Sequence, residues 1–317
     1  MRNLRRIMPL LLAVATTGCA HATSAQPAAA GKTPRLTPVR VDTASLKHVL
    51  DSIADAHQGV VGYTVIDLEN NVTISLRGDE TFPTASLIKV AVLVTVYDLV
   101  AKGELSLNDP LTVLKIDQVP GSGITQYLHP GSILTVHDAA WLMITISDNT
   151  ATNLLLDRII IRRVWDKMEA LGLKQTKIHS KTFRRNSSVA MDSSVKYGLG
   201  VTTPNEMARL FELLARGKAV SAKADSEMID MFEHNNTDVM LLRFADGARV
   251  AHKDGETDQV RTECGMFYLR NRIAACVLTK ENKDTRWIVD NEAQLTVARM
   301  GEAIVKAWGG VPPAPPQ

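Results

Sequence analysis

Cysteines and aromatic residues are scarce in this sequence. Of its 317 residues only three are cysteine, and 5% are Phe, Trp or Tyr. So few cysteines exclude a small scaffold held by disulfide bonds, and a hydrophobic share of 45% excludes a disordered chain. The eight histidines do not fall at metal-binding spacings, and no phosphate-binding glycine loop is present, so we expect neither a metal nor a cofactor. The length indicates one large or two modest globular domains.

The sequence also lacks a long apolar run. The run from Ile7 to Ala15 is too short to span a bilayer, but it follows three arginines, as the apolar part of a secretory signal does. We therefore predict an exported protein, periplasmic or extracellular, with a signal peptide over residues 1–22 and a linker over 23–43. Cleavage fits after Ala22 or before Cys19, and in the second case a lipid on Cys19 would anchor the chain to a membrane.

An excess of positive charge is missing as well. The formal charge of +2 includes Arg2, Arg5 and Arg6 of the predicted signal, and without them 33 of the 36 basic residues remain against 34 acidic ones. This balance excludes a general nucleic-acid-binding surface. We expect a monomer whose partner is a small molecule.

The hydrophobic pattern is strand-like near both ends of the chain and helical between them. Residues 61–76 alternate as a β-hairpin does, after a helix over 44–56. Helical spacing then runs from about residue 85 to residue 232. The remaining predicted elements are strands at 248–252, 260–269 and 272–279 and a helix at 292–308. This order predicts one antiparallel sheet built from both chain ends, with an inserted all-helical lobe.

The domain boundaries follow from this pattern. We predict an α/β domain from residues 44–84 and 234–309, an all-α domain from 85–233, and a disordered tail from 310–317. Cys264 and Cys276 would face each other across a hairpin of the α/β domain. Because cross-strand geometry often disfavours a bridge, we expect two buried free thiols.

The first motif with chemical meaning is Ser86-Leu-Ile-Lys89, at the start of the first long predicted helix. Residues three apart share a helix face, so the lysine amine could take the serine hydroxyl proton, and the helix N-terminus would favour the developing negative charge. Lys89 interrupts an apolar run, which indicates a buried role; the alternative is a capping serine followed by a solvated lysine. A second match, Ser193 to Lys196, lies in a predicted loop and is interpreted as a decoy.

Two further motifs have both a structural and a functional interpretation. Ser147-Asp148-Asn149 follows an apolar helix, and it either caps the next helix or offers a proton-carrying hydroxyl and an amide that holds Lys89 and a substrate. Lys253-Asp254-Gly255 follows a strand, and it either forms a turn or supplies positive charge.

In this order and spacing the three motifs resemble the class A β-lactamases and the related penicillin-recognising serine peptidases, whose signature is S-x-x-K, S-D-N and K-T-G. The resemblance runs from about Leu46 to Trp308. It implies an α/β (α+β) fold of the β-lactamase/DD-peptidase-like type. That fold has a five-stranded antiparallel sheet with flanking helices plus an inserted all-α domain, and the site lies between them.

The resemblance also implies the catalytic roles. Ser86 would be the acylated nucleophile and Lys89 its general base. Ser147 would pass the proton to the leaving nitrogen. The backbone N–H groups of Ser86 and Glu256 would form the oxyanion hole.

The binding roles are implied in the same way. Asn149 would hold the substrate, and Lys253 would supply positive charge to the substrate and to Ser147, with Gly255 completing its motif. Arg261, on the next strand, would bind a substrate carboxylate unless it is a solvated strand residue.

Two departures from the family pattern limit the analogy. In class A enzymes a glutamate on the loop after the S-D-N helices activates the deacylating water, but here alignment places Thr182 at that position and Asn186 at the loop's usual asparagine. Residues 174–190 contain no Asp or Glu. Asp192 would be a substitute base if the loop folded back.

The second departure is Asp254, where the family carries Thr or Ser. An aspartate would repel a substrate carboxylate unless it is protonated or turned towards Lys253 or Arg261. Neither departure affects acylation by Ser86 and Lys89.

These features predict an exported serine hydrolase of the class A β-lactamase type that opens β-lactam or related amides through an acyl-Ser86 intermediate, with slow deacylation. The alternatives are a penicillin-binding D-Ala-D-Ala carboxypeptidase acting on peptidoglycan stem peptides, a β-lactam-acylated sensor without turnover, and an inactive relative.

Overall fold

The structure is a computed structural model that describes residues 37–245 and 247–309. The predicted signal peptide, Cys19, residues 23–36 of the predicted linker and the predicted tail 310–317 lie outside the described residues. Within the described residues no helix combines the length and the apolarity that crossing a membrane requires.

The described chain contains strands mainly towards its two ends and helices mainly between them. The strands are β1 Val60–Asp67, β2 Val72–Leu76, β3 Phe82–Pro83, β4 Pro110–Thr112, β5 Ile133–Thr135, β6 Lys177–Ile178, β7 Gly200–Thr202, β8 Arg249–Thr257, β9 Val260–Tyr268 and β10 Arg272–Lys280. The α-helices are α1 Thr43–Asp55, α2 Lys89–Ala101, α3 Val136–Thr145, α4 Asn149–Ile159, α5 Ile161–Ala170, α6 Met191–Tyr197, α7 Pro204–Ala215, α8 Ala222–Glu233 and α9 Glu292–Trp308.

The central sheet has five antiparallel strands in the order β2-β1-β10-β9-β8. Strands β1, β9 and β10 are buried along nearly their whole length because helices cover both faces. On one face α1 and α9 bury Leu50, Tyr63, Phe267 and Ile304 together, and on the other face α7 packs against β1, β9 and β10. The predicted five-stranded antiparallel sheet with flanking helices is confirmed.

The helical lobe is built around α2. This helix is apolar on all sides, and every residue from Lys89 to Leu99 is buried, as expected of a helix surrounded by others. Helices α3, α4, α5 and α8 pack around it. The lobe therefore fixes the first residue of α2, Lys89, deep in the molecule.

Short strands interrupt the lobe that was predicted to be all-helical. Strands β4 and β5 pair with each other, and β7 lies between β3 and β6. Each of these strands has only two or three residues, which is too short for a period-two pattern to appear in the sequence.

One further local prediction, and one of two alternatives left open by the sequence, are wrong. Ser193 and Lys196 lie in the short helix α6 rather than in a loop. Lys253-Asp254-Gly255 does not form a turn, because β8 continues through it to Thr257 and pairs with β9 along its length. Asp-Gly favours a turn only where the backbone is free to reverse, and here the ladder with β9 holds it extended.

The prediction of two free thiols is also wrong. Cys264 and Cys276 lie directly opposite each other on β9 and β10, and their sulfur atoms are bonded. The Cα atoms of this directly opposed pair are only 4.0 Å apart, so both side chains reach each other on the same face of the sheet.

Candidate active site

Ser86 lies on a single 3-10 turn, Ala85–Ile88, that leads directly into α2. Residues three apart eclipse each other in a 3-10 turn, so Ser86 and Lys89 are on the same side of the chain. Ser86 is partly exposed and lines a cleft, whereas Lys89 is fully buried. The turn therefore presents a hydroxyl to solvent with an amine beneath it.

Strand β8 passes so close to this turn that only glycine fits at position 255. A Cβ atom on Gly255 would lie 2.3 Å from the carbonyl oxygen of Thr84 and 2.9 Å from the nitrogen of Ser86. Both distances are shorter than real Cβ contacts, so a larger residue would push the strand and the turn apart. The close approach sets the backbone N–H of Ser86 beside the strand that continues to Glu256.

The amine of Lys89 is held by three oxygen atoms on the other wall. Its nitrogen lies 2.7 Å from the carbonyl oxygen of Ser147, 3.1 Å from the hydroxyl of Ser147 and 2.9 Å from Oδ1 of Asn149. Ser147 has a positive φ of 55°, in the left-handed region, and this brings both its carbonyl and its hydroxyl to the amine. The geometry thus joins the first two motifs into one hydrogen-bonded unit.

The environment lowers the pKa of Lys89 well below its ordinary value of 10.5. Burial is the main cause because it penalises the charged form, and the nearby positive charge of Lys253 acts in the same direction. Asp254 and Asp148 oppose the shift but do not cancel it. A lysine with a depressed pKa is able to accept a proton from a neighbouring hydroxyl.

Asp148 has a structural task. One carboxylate oxygen caps α4 by accepting the N–H of Ala151, and the other accepts the N–H groups of Ile124 and Thr125. The side chain is fully buried. Asp148 therefore ties the loop of residues 120–125 to the start of α4, and the capping interpretation of this motif applies to Asp148, while Ser147 and Asn149 face Lys89.

Lys253 and Asp254 form a buried ion pair. The amine of Lys253 lies 2.7 Å from Oδ1 of Asp254, and Asn235 donates to the same oxygen at 3.1 Å. Burial alone would raise the pKa of Asp254, but the charge and hydrogen bond of Lys253 and the hydrogen bond of Asn235 outweigh it, so the pKa falls well below normal. The carboxylate is ionised and turned towards Lys253, one of the two arrangements in which an aspartate was expected to be tolerated there.

Arg261 points away from solvent. Its guanidinium is fully buried, pairs with the Glu256 carboxylate at 2.9 Å and donates to the carbonyl oxygens of Thr257 and Val260. It also donates to the carbonyl oxygen of Arg286. The alternative of a solvated strand arginine is thus wrong, because Arg261 fastens the turn between β8 and β9. Its expected binding of a substrate carboxylate stays a prediction.

Thr182 is buried and held by hydrogen bonds on every side. Its N–H and its hydroxyl both donate to Oδ1 of Asn153, at 2.8 Å and 2.9 Å, and its hydroxyl lies 3.0 Å from the carbonyl oxygen of Asn149. The amide of Asn153 donates back to the carbonyl oxygen of Thr182. The position at which the resemblance predicts a glutamate therefore carries a neutral side chain whose hydrogen is already donated.

The other candidates from this loop lie away from the cleft. Asn186 is exposed on the 3-10 turn Arg185–Ser187 and does not line the cleft. Asp192 is exposed in the first turn of α6, and Ser193 is partly exposed on the same helix. The structure does not bring these three residues to Ser86.

A cleft of about 840 Å³ opens over Ser86. Its walls are the loop at residues 121 and 122, the first residue of α4, Asn149, the segment 180–185, residues 198 and 199, residues 256–258 at and just after the end of β8, and one residue beyond the sheet, Trp287. In the described part of the chain no group of three His, Cys, Asp or Glu side chains is placed to hold a metal ion.

Sequence reasoning missed several residues of this site. Asn235, which holds Asp254, lies 18 residues before Lys253 and carries no spacing signal, whereas Asn153, which holds Thr182, follows Asn149 by one helical turn and could have been noticed from that spacing. Phe183 and Trp287 are two exposed aromatic side chains that line the cleft. Each lies in a mostly polar segment, and the presence of a scarce aromatic residue there was the one sequence signal for a role in the site.

Comparison with known proteins gives a consistent result. A model of the β-lactamase enzyme family matches residues 45–308. The chain is 23% identical over 267 residues to β-lactamase SME-1 of Serratia marcescens, covering 81% of this chain and 87% of the relative. It is 26% identical over 250 residues to β-lactamase CARB-3 of Pseudomonas aeruginosa, covering 78% of this chain and 82% of the relative.

Solved structures extend the comparison. A β-lactamase from Sphaerobacter thermophilus superposes with a TM-score of 0.75 and 28% identity, over 86% of this chain and 100% of that one. A mutant of PBP-A, determined as an acyl-enzyme complex with penicillin G, superposes with a TM-score of 0.74 and 25% identity, over 86% of this chain and 98% of that one.

Proposed function

Because the chain belongs to the β-lactamase enzyme family and is a β-lactam-hydrolysing serine enzyme, we propose that it forms its acyl-enzyme on Ser86 and that release of the acyl group is its slow step. Ser86 attacks the amide carbonyl while Lys89 accepts its proton. Ser147, already hydrogen-bonded to Lys89, returns a proton to the leaving nitrogen. Backbone N–H groups at Ser86 and Glu256 stabilise the oxyanion.

One observation supports the proposal that release of the acyl group is slow. Thr182 is the residue that sequence alignment places at the family's water-activating glutamate, and its single hydroxyl hydrogen is engaged by Oδ1 of Asn153 and the carbonyl oxygen of Asn149. A general base contributes about 10²–10⁴-fold to a rate, so the acyl-enzyme should outlive that of a competent β-lactamase by a comparable factor.

The test is the pre-steady-state time course with a chromogenic cephalosporin, followed together with intact-protein mass spectrometry. We expect a burst of about one product per enzyme, a covalent adduct on the peptide that contains Ser86, and slow turnover afterwards. Rapid linear turnover without a burst would show that another group activates the water, and an adduct on Ser193 would contradict the assignment of Ser86.

A penicillin-binding D-Ala-D-Ala carboxypeptidase of peptidoglycan stem peptides is the second candidate. It is favoured by the absence of a carboxylate at position 182 and by the likeness to PBP-A, whose mutant was trapped as an acyl-enzyme. Release of D-alanine from a synthetic stem peptide, at a rate above the turnover of penicillin, would favour this candidate over the first.

We also propose that the protein acts outside the cytoplasm as a monomer, either free or with a lipid on Cys19. The arginines and apolar run of residues 1–22 support export, and the bond between Cys264 and Cys276 fits an oxidising compartment. Cell fractionation with N-terminal mass spectrometry tests this proposal, because a mature chain that begins at Cys19 with a lipid and one that begins after Ala22 differ in mass. Retention of residues 1–22 would contradict it.

A further inference from the structure

Trp287 is an exposed aromatic residue with a fixed position at the rim of the cleft. Its side chain is 62% exposed. The guanidinium of Arg261 lies 4.6 Å from the ring centroid, and the indole N–H donates to the carboxylate of Asp258 at 2.8 Å. Because Arg261 is itself held by Glu256 and by backbone carbonyls, the tryptophan ring is held on one face while much of its surface stays open to solvent.

Trp287 lies on the acyl side of the reacting bond. Ser147, the proposed proton donor for the leaving nitrogen, hydrogen-bonds to Lys89 and does not line the cleft, whereas its neighbour Asn149 does. The cleft extends from Ser86 along the end of β8 to Asp258 and Trp287. A substrate with its leaving nitrogen at Ser147 therefore directs its acyl substituent into the cleft that Trp287 lines.

A second exposed aromatic side chain lines the same cleft. Phe183 is 66% exposed and has a φ of 56°, a left-handed conformation that is unfavourable for a residue with a side chain. A Cβ atom at Gly121 would lie 3.0 Å from a ring carbon of Phe183, so the ring reaches the loop opposite its own segment. A strained backbone that exposes an apolar ring in a cleft indicates a role in binding.

We propose that Trp287 is a specificity-determining residue that stacks on a planar aromatic substituent of the acyl group, so that the preferred substrates are aryl-bearing acyl donors. This inference rests on the proposed acylation of Ser86. Aromatic pairs in offset or edge-to-face arrangement add to the energy of simple burial, and Arg261 and Asp258 fix the tryptophan before the substrate arrives, which reduces the entropy lost on binding.

The test compares two acyl donors that differ in the aryl group. Second-order acylation rates are measured for benzylpenicillin and for 6-aminopenicillanic acid, by competition with a fluorescent penicillin. Trp287→Ala should lower the rate for benzylpenicillin by about 2- to 12-fold, the range typical of a stacked aromatic pair, and leave the rate for 6-aminopenicillanic acid unchanged. Trp287→Phe should restore most of the loss.

The matched control is Val289→Ala, an exposed apolar residue two positions further along that does not line the cleft. It should change neither rate. Equal loss for both substrates in Trp287→Ala, or no loss for either, would overturn the inference while leaving acylation of Ser86 intact. If neither compound acylates the unaltered protein, the proposed function itself fails together with the inference.

Discussion

The two sides of the site are built on different principles. On the acylation side, Lys89 is a buried ionisable group held by the oxygens of Ser147 and Asn149, beside a second buried amine, Lys253. On the proposed deacylation side, Thr182 is also buried but neutral, and its hydroxyl is hydrogen-bonded. Burial and hydrogen bonding therefore do not by themselves give catalytic capacity, because a group catalyses proton transfer only if its pKa suits the task.

The largest effect should come from removing the base on the acylation side. Lys89→Arg keeps the charge but cannot release its proton, so acylation should fall by about 10²–10⁴-fold. In the unaltered protein the amine must be neutral, so the acylation rate should rise as the pH rises through the Lys89 pKa. Because burial and Lys253 depress that pKa, the rate should level off well below pH 10.5. Stopped-flow measurement of acylation at a series of pH values gives both the loss of rate in the variant and the pH profile of the unaltered protein. A folded Lys89→Arg variant that acylates at a near-normal rate would contradict the role of Lys89.

The next largest effect should follow from separating β8 from the catalytic turn. Gly255→Ala places a Cβ atom against the carbonyl of Thr84 and the nitrogen of Ser86, so one oxyanion donor should move out of position. Losing one such donor costs about 10²-fold or more in rate. Acylation kinetics with a circular dichroism control measure this, and an unchanged rate in a folded variant would show that the Ser86 N–H does not contribute.

On the deacylation side, a substitution should raise the rate rather than lower it. Thr182→Glu introduces a carboxylate near the acyl group and should speed deacylation by about 10-fold, less than a fully aligned base provides because the surrounding loop is not shaped for it. Thr182→Gln, of the same size but without a base, is the matched control. The decay of the acyl-enzyme by mass spectrometry distinguishes them, and equal acceleration by both variants would mean that loosening of the loop is responsible.

The smallest effect should come from the ion pair at the edge of the acylation side. Asp254→Thr removes a negative charge, frees Lys253 and supplies a hydroxyl, so the KM for a penicillin should fall about 5-fold, as expected for one added hydrogen bond. The methyl ester of the same penicillin, which lacks the carboxylate, should not respond. An equal fall for acid and ester would show that the aspartate acts on the fold of the site rather than on the substrate's charge.

The sequence predicted the parts of this comparison that depend on local spacing. Ser86 and Lys89 share one side of a turn because they are three residues apart, and two apolar segments around a polar turn identified β1 and β2 as a hairpin. It did not predict the partners of Asp254 and Thr182, because Asn235 and Asn153 reach them only through tertiary packing. The extension of β8 through Asp-Gly was missed for the same reason, since the ladder with β9 overrides a local turn preference.

The pairing of the two cysteines also depends on tertiary structure that local sequence does not predict. Whether Cys264 and Cys276 meet depends on the register of β9 against β10, and a shift of one residue would turn one of them to the opposite face. Composition and hydrophobic periodicity located both strands but not their register. The direction of Arg261 was missed because burial of a guanidinium depends on a carboxylate, Glu256, that faces it from the neighbouring strand.

The order of the central strands has a consequence for how the chain acquires its structure. Strand β1, near the beginning of the described chain, pairs along its length with β10, near the end, and the indole of Trp308 donates to Asp67, 241 residues earlier. Contacts between such distant residues form late and slow the folding reaction. The sheet therefore cannot close until almost the whole polypeptide has left the ribosome, so the chain stays without its central sheet during most of its synthesis.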